Sequence, residues 1–119
     1  MLTQEKGRIA EDKALAYLLA QGLKLITRNY SCRLGEIDLI MRDKDYLVFI
    51  EVRARVSAKF GGGIASITYA KRQKIIKSAS YYMLTHNAQS NMAMRFDVIS
   101  IDGKSASITW IKDAFGMDY

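Results

Sequence analysis

Asp38, Glu51 and Arg53 are the residues whose types and spacing could do chemistry. They stand in the stretch GEIDLIMRDKDYLVFIEVRAR. Its two apolar arms flank the polar cluster Arg42-Asp43-Lys44-Asp45, a pattern that predicts two strands joined by a tight turn. A turn centred on Lys44-Asp45 sets Asp43 opposite Tyr46, Met41 opposite Val48 and Asp38 opposite Glu51. Directly opposed residues share a sheet face, with Cβ atoms about 4.5–5.5 Å apart. Two carboxylates at that spacing repel each other unless positive charge lies between them. A divalent ion that prefers oxygen ligands, Mg²⁺ or Mn²⁺, suits the position. Arg53, two residues beyond Glu51, projects from the same face. Two acids and a cation on one strand face form the arrangement of a metal-dependent phosphodiesterase.

That arrangement depends on register. Lys-Asp is not a favoured two-residue hairpin turn. A longer loop or a bulge would slide Glu51 away from Asp38, and a slip of one residue would turn it to the other face. The alternative is a solvated strand face with ordinary charges. The segment 46–52 weighs against it, because it holds six apolar residues and one acid. Such a run resembles a central strand buried on both faces, where a carboxylate is costly unless it is paired or binds metal.

The elements that would position these residues follow from periodicity. Residues 4–21 read as a helix with Gly22 as its C-terminal stop. At 100° per residue, Gly7, Ala14, Leu15 and Leu18 share one broad face, and Glu11 falls among them. Glu11 either sits at the edge of a wide stripe or pairs with a lysine, or else it points towards the sheet and assists a metal site. Gly7 on the same face would let a backbone approach closely. Residues 23–30 read as a strand with Leu23, Leu25 and Thr27 on one side. The segment 56–66 is a loop by composition, and its Gly61-Gly62-Gly63 matches no nucleotide-binding pattern. It is either a plain linker or a connection that reaches over a substrate.

Residues 67–86 read as a second helix with Ile75, Ile76, Ala79, Tyr82 and Met83 as its buried stripe. Lys74, Lys77 and Tyr81 fall on the other side, flanked by Lys71. That row suits either phosphate contact or simple solvation. Strands at 94–102 and 106–112 complete the chain. The order is helix, three strands, helix, two strands. It predicts a mixed sheet with helices on its faces, and a parallel crossover between the third and fourth strands.

Composition sets the outer bounds. A chain of 119 residues, half of them hydrophobic, suffices for one compact domain spanning 1–119. It contains no apolar run long enough for a membrane span. Its charged N-terminus lacks the apolar core of a signal peptide. The single Cys32 excludes an internal disulfide and suits a reducing cytoplasm. No Cys/His cluster supports structural zinc. Eighteen Lys and Arg against twelve Asp and Glu leave a net charge of +6, which draws such a protein to polyanions, DNA first.

Together these residues resemble a known family. Glu11 on the first helix, then GEIDLI, then VFIEVR, with Asn29-Tyr30, a lysine-rich second helix and Arg95-Phe96-Asp97-Val98, is similar to the YraN family. These are small bacterial endonuclease-like proteins of the restriction-endonuclease-like, Holliday junction resolvase-like superfamily. The resemblance implies that Asp38 and Glu51 bind Mg²⁺ and that the residue two positions after Glu51 stabilises charge. The superfamily has lysine at that position and this chain has Arg53. Arginine can stabilise a developing negative charge but cannot accept a proton. Lys71 or Lys74 could reach the site from the second helix instead.

Three expectations follow. The first is a Mg²⁺- or Mn²⁺-dependent nuclease for branched or structured DNA, with Asp38 and Glu51 as ligands, Glu11 as auxiliary acid and Arg53 as phosphate stabiliser. Arg53, Arg55, Lys59, Lys71, Lys74 and Lys77 would contact nucleic acid. The second is a DNA-binding protein of the same fold that does not cleave, acting as a homodimer or with a protein partner. The third is a scaffold whose charge serves solubility. Asp97 and His86 are expected to be structural.

Overall fold

The computed structural model describes residues 2–55, 67–86, 92–102 and 107–116, with the side chains of 2–6 and of 55 outside that description. Among the described residues the elements run α1 (Leu2–Ala20), β1 (Lys24–Cys32), β2 (Gly35–Asp43), β3 (Tyr46–Arg55), α2 (Tyr69–Thr85), β4 (Ala93–Asp102) and β5 (Ser107–Phe115). The strands form one sheet in the order β1-β2-β3-β4-β5. All neighbours are antiparallel except β3 and β4, which run parallel, as the intervening helix requires. The fold is α/β, a five-stranded mixed sheet flanked by two helices, compatible with the restriction-endonuclease-like architecture.

Each sheet face owns a core. On one side α1 lays Ala10, Ala14 and Leu18 against Leu39, Met41, Val48, Ile50, Ile99 and Ile101. On the other, α2 lays Ile75, Ile76, Ala79 and Tyr82 against Ile40, Leu47, Phe49, Phe96 and Val98. The central strand β3 supplies alternate residues to both cores, with Leu47, Val48, Phe49 and Ile50 fully buried. This is the continuous apolar run of a two-sided strand.

The helices end as their sequences indicate. The chain leaves α1 through Gly22 at φ 98°, the left-handed value that glycine adopts without penalty. α2 begins at Thr68, whose hydroxyl accepts from the Lys71 N–H at 3.1 Å. It closes on His86, whose ring stacks on Tyr82 at 4.0 Å between centroids. The helix-terminal role of His86 is therefore borne out.

Two local expectations are corrected. Gly7 is exposed, and a Cβ built there would meet nothing within 4 Å among the described residues. It mediates no close approach, because the buried stripe of α1 runs through Ala10, Ala14 and Leu18 instead. Leu25 does not share a buried face with Leu23. A bulge between Leu25 and Thr27 breaks the alternation of β1, leaving Leu25 and Ile26 exposed on an edge strand. The segment 56–66, with Lys59 and the three glycines, lies outside the described residues.

Candidate metal and nucleic-acid site

The β2–β3 hairpin has the expected register. Asp43 pairs with Tyr46, Met41 with Val48 and Leu39 with Ile50. The turn tolerates Lys-Asp because Lys44 takes φ 55°, and its carbonyl accepts from the Arg42 side chain at 3.0 Å. The next pair in this register would be Asp38 and Glu51, but the ladder stops one pair short. There the Asp38 carboxylate accepts the Val52 N–H at 2.8 Å, a side chain standing in for a backbone acceptor.

The cause is a kink shared by two strands. Across β1, Tyr30 pairs with Ile37 and Arg28 with Leu39, while Asn29 between them takes φ 52°. Asparagine accepts the left-handed conformation more readily than most residues. On β2, Ile37 packs with the α2 core and Leu39 with the α1 core, although residues two apart ordinarily share a face. Asp38 sits at this switch. The simple alternation read from the sequence fails here, and the failure frees Asp38 from the ladder.

Glu51 is buried at 5% exposure, and its Oε2 atom meets two cations. Arg53 lies at 3.3 Å from the same strand, and Lys71 Nζ lies at 3.0 Å from the first turn of α2. Burial, and then the adjacent Glu51 charge, push the Asp38 carboxyl up to about 7. The Val52 hydrogen bond opposes that shift, and Glu11 adds to it more weakly. Glu11 itself is half-buried and lies 3.8 Å from Arg28, which also holds Asp12 at 2.7 Å. The basic partner of Glu11 is thus an arginine rather than the expected lysine, and the Glu11 charge is one of the weaker causes that raise the Asp38 pKa.

The acids line an open cleft of about 380 Å³ together with Gly35, Glu36, Thr68, Ala70, Lys71, Lys74 and Ile75. Gly35 lets the wall form. Its φ is 152°, and a Cβ there would lie 3.0 Å from Ser78 Oγ on α2. Lys74 lines the cleft, Lys77 is exposed further along α2, and the Arg55 side chain is outside the described residues.

Asp38 and Glu51 fit a hard divalent ion. They offer carboxylate oxygens to one cleft, and burial, followed by the neighbouring Glu51 charge, raises the Asp38 pKa. They do not make a cage: among the described residues no group of three or more His, Cys, Asp or Glu converges. Mg²⁺ commonly binds through one or two carboxylates, with water and substrate phosphate completing the shell.

Asp97 belongs to a different construction, as its pattern suggested. It is fully buried on the α1 face and receives four hydrogen bonds: two from Arg95, one from Trp110 and one from the Asp113 N–H, each at 2.9 Å. Arg95 also reaches Asp43 at 2.9 Å. The carboxylate fastens the irregularity between Phe96 and Val98, opposite which Asp113 takes φ 52°. Arg95 is two residues away, but Trp110 and Asp113 come from β5, and the sequence alone did not reveal them as partners.

An α/β sheet of this topology with a carboxylate pair at a cleft defines the class. The chain belongs to the uncharacterised protein family UPF0102, whose model matches residues 10–101, as the YraN resemblance anticipated. It is 63% identical over 114 residues to a UPF0102 protein of Legionella pneumophila (strain Corby), covering 96% of this chain and 97% of the relative. A UPF0102 protein of Psychromonas ingrahamii is 52% identical over 113 residues, covering 95% of this chain and 91% of the relative. A third, from Ralstonia pickettii, is 50% identical over 121 residues, covering 98% and 94%. Among the described residues no helix is long and apolar enough to cross a membrane.

Proposed function

We propose that the chain is a Mg²⁺- or Mn²⁺-dependent nuclease that hydrolyses phosphodiesters in branched or otherwise structured DNA in the cytoplasm. The observation that carries this reading is the meeting of Asp38, Glu51 and Lys71 at one open cleft, with Arg53 held against Glu51. Asp38 and Glu51 would hold the ion, which would polarise a phosphoryl oxygen and offset its charge. Arg53, kept beside Glu51, supports the charge that develops on the phosphate. Lys74 and Lys77 on α2, with Arg55 at the end of β3 and Lys59 beyond it, would track the backbone of the duplex.

A second reading is a DNA-binding protein that does not cleave. The ion pairs of Glu51 with Arg53 and Lys71 favour it, since they stabilise the buried carboxylate without metal. Incubation with branched, single-stranded and duplex DNA in Mg²⁺ or Mn²⁺ separates the two. The nuclease reading expects cleavage that Asp38→Asn and Glu51→Gln each abolish. Arg53→Ala should lower the rate roughly 10²–10³-fold, as for loss of one oxyanion donor, and Arg53→Lys should retain activity. Binding of branched DNA with no cleavage by wild type or by Arg53→Lys would establish the second reading.

A further inference from the structure

α2 breaks a local rule at its start. Helix N-termini favour acidic side chains, because the first N–H groups carry partial positive charge. The first turn of α2 contains no acid and places Lys71 there. A cation at that position is held against the helix field, so something else must hold it. The structure shows what does: Lys71 Nζ lies 3.0 Å from Glu51 Oε2. Such departures from local preference concentrate at functional sites.

The same oxygen is the one that Arg53 approaches. The two cations differ in their freedom to leave. The Arg53 side chain is 27% exposed and rooted on the strand beside Glu51, whereas that of Lys71 is 44% exposed on a flexible stem at the cleft mouth. An ion bound by Glu51 would have to displace a cation from this oxygen, and Lys71 is the one able to swing aside.

We infer that Lys71 is an exchangeable counter-cation. In the metal-free protein its ammonium neutralises Glu51. A divalent ion displaces it, and the released ammonium turns into the cleft, where it meets the phosphate of the DNA. This inference rests on the nuclease reading and deepens it, by giving Lys71 on α2 a role beside Arg53 at the same carboxylate. Lys71 competes with the ion for Glu51 and becomes a phosphate contact only once the ion is bound.

Mn²⁺ titration of the DNA-free protein, followed by the loss of free-ion electron paramagnetic resonance signal, tests the exchange. Lys71→Met should bind Mn²⁺ roughly three- to tenfold more tightly than wild type, the scale of one partly exposed ion pair. Lys74→Met removes the same charge from the same cleft without touching Glu51 and should change the affinity by a clearly smaller factor. Branched-DNA affinity should fall more for Lys71→Met in Ca²⁺ than in EDTA. Equal effects of the two variants on Mn²⁺ affinity, or weaker Mn²⁺ binding by Lys71→Met, would overturn the exchange and leave the nuclease reading standing. An equal loss of DNA affinity in Ca²⁺ and EDTA would overturn the metal-gated release. Failure of all three proteins to bind Mn²⁺ without DNA would overturn the exchange, and failure to bind it with DNA present as well would overturn the metal-dependent reading.

Discussion

Asp38 carries a carboxyl that titrates near neutrality, and the sign of its effect on stability follows from that. In the unfolded chain an aspartate loses its proton near pH 3.9. In the folded, metal-free protein it holds the proton up to about 7. Between those values the native state binds more protons than the unfolded state, so stability falls as pH rises and levels off above the folded pKa. Urea denaturation in EDTA from pH 4 to 8, compared between wild type and Asp38→Asn, isolates this contribution. The variant should lack the downward trend due to Asp38 and be the more stable protein at pH 8, an expected cost of a functional acid. A parallel pH dependence in the two proteins would show that Asp38 is not strained. Saturating Mg²⁺ should flatten the wild-type curve, since the ion replaces the proton. At this scale the sequence was legible where strand register speaks. Asp38, Glu51 and Arg53 could be brought together from the apolar pattern of one hairpin. Lys71 could be named only as one of two lysines able to reach the site, because its placement depends on how α2 docks across the sheet. The missing acid in the first turn of α2 was the signal that could have singled it out.

The secondary-structure elements were readable in order and type, and their irregularities were not. Both helices, the crossover and the two hairpins follow from periodicity, because burial on one or two faces stamps a period on the sequence. The bulge in β1 and the Asn29 kink leave no mark on the period, and neither do the places where the Asp38 and Asp97 carboxylates take backbone N–H groups of Val52 and Asp113. Gly35 is the element-scale residue that the site depends on. Any side chain there would combine φ 152° with a Cβ 3.0 Å from Ser78 Oγ. Gly35→Ala should therefore destabilise by about 1–3 kcal/mol and pull β2 away from α2. Chemical denaturation, with metal binding measured on the folded variant, would register both effects. A loss below roughly 0.5 kcal/mol, the level of an ordinary surface substitution, would show that the wall yields easily. Asp97→Ala should cost more, about 3–5 kcal/mol, since it leaves Arg95 half-buried without its main partner. Stability within about 1 kcal/mol of wild type would show that Asp43 suffices to hold Arg95.

Over the whole molecule, the two helices occupy opposite sheet faces, and this divides their work. α1 packs Ala10, Ala14 and Leu18 on one core, with Glu11 reaching the carboxylates only through its field. α2 covers the other core and delivers Lys71 and Lys74 to the cleft, with Lys77 exposed further along the helix. A net charge of +6 is too small to dictate where a polyanion lies, but Lys71 and Lys74 line the cleft itself. Lys74 and Lys77 are exposed, and neither is needed to neutralise a buried acid, so their removal should leave folding intact. The double change Lys74→Ala, Lys77→Ala should weaken DNA binding by a similar factor across sequences. It should also reduce the slope of log affinity against log salt by about 0.9 for each lost phosphate contact, or roughly 1.8 for the pair on duplex DNA. The slope is the decisive quantity, because a general loss of positive charge lowers affinity while only lost phosphate contacts change the number of counterions released. Fluorescence anisotropy on a duplex and on a branched DNA, from low to moderate salt, measures it. An unchanged slope would remove α2 from the nucleic-acid interface and move the search for it to the β3 end around Arg53.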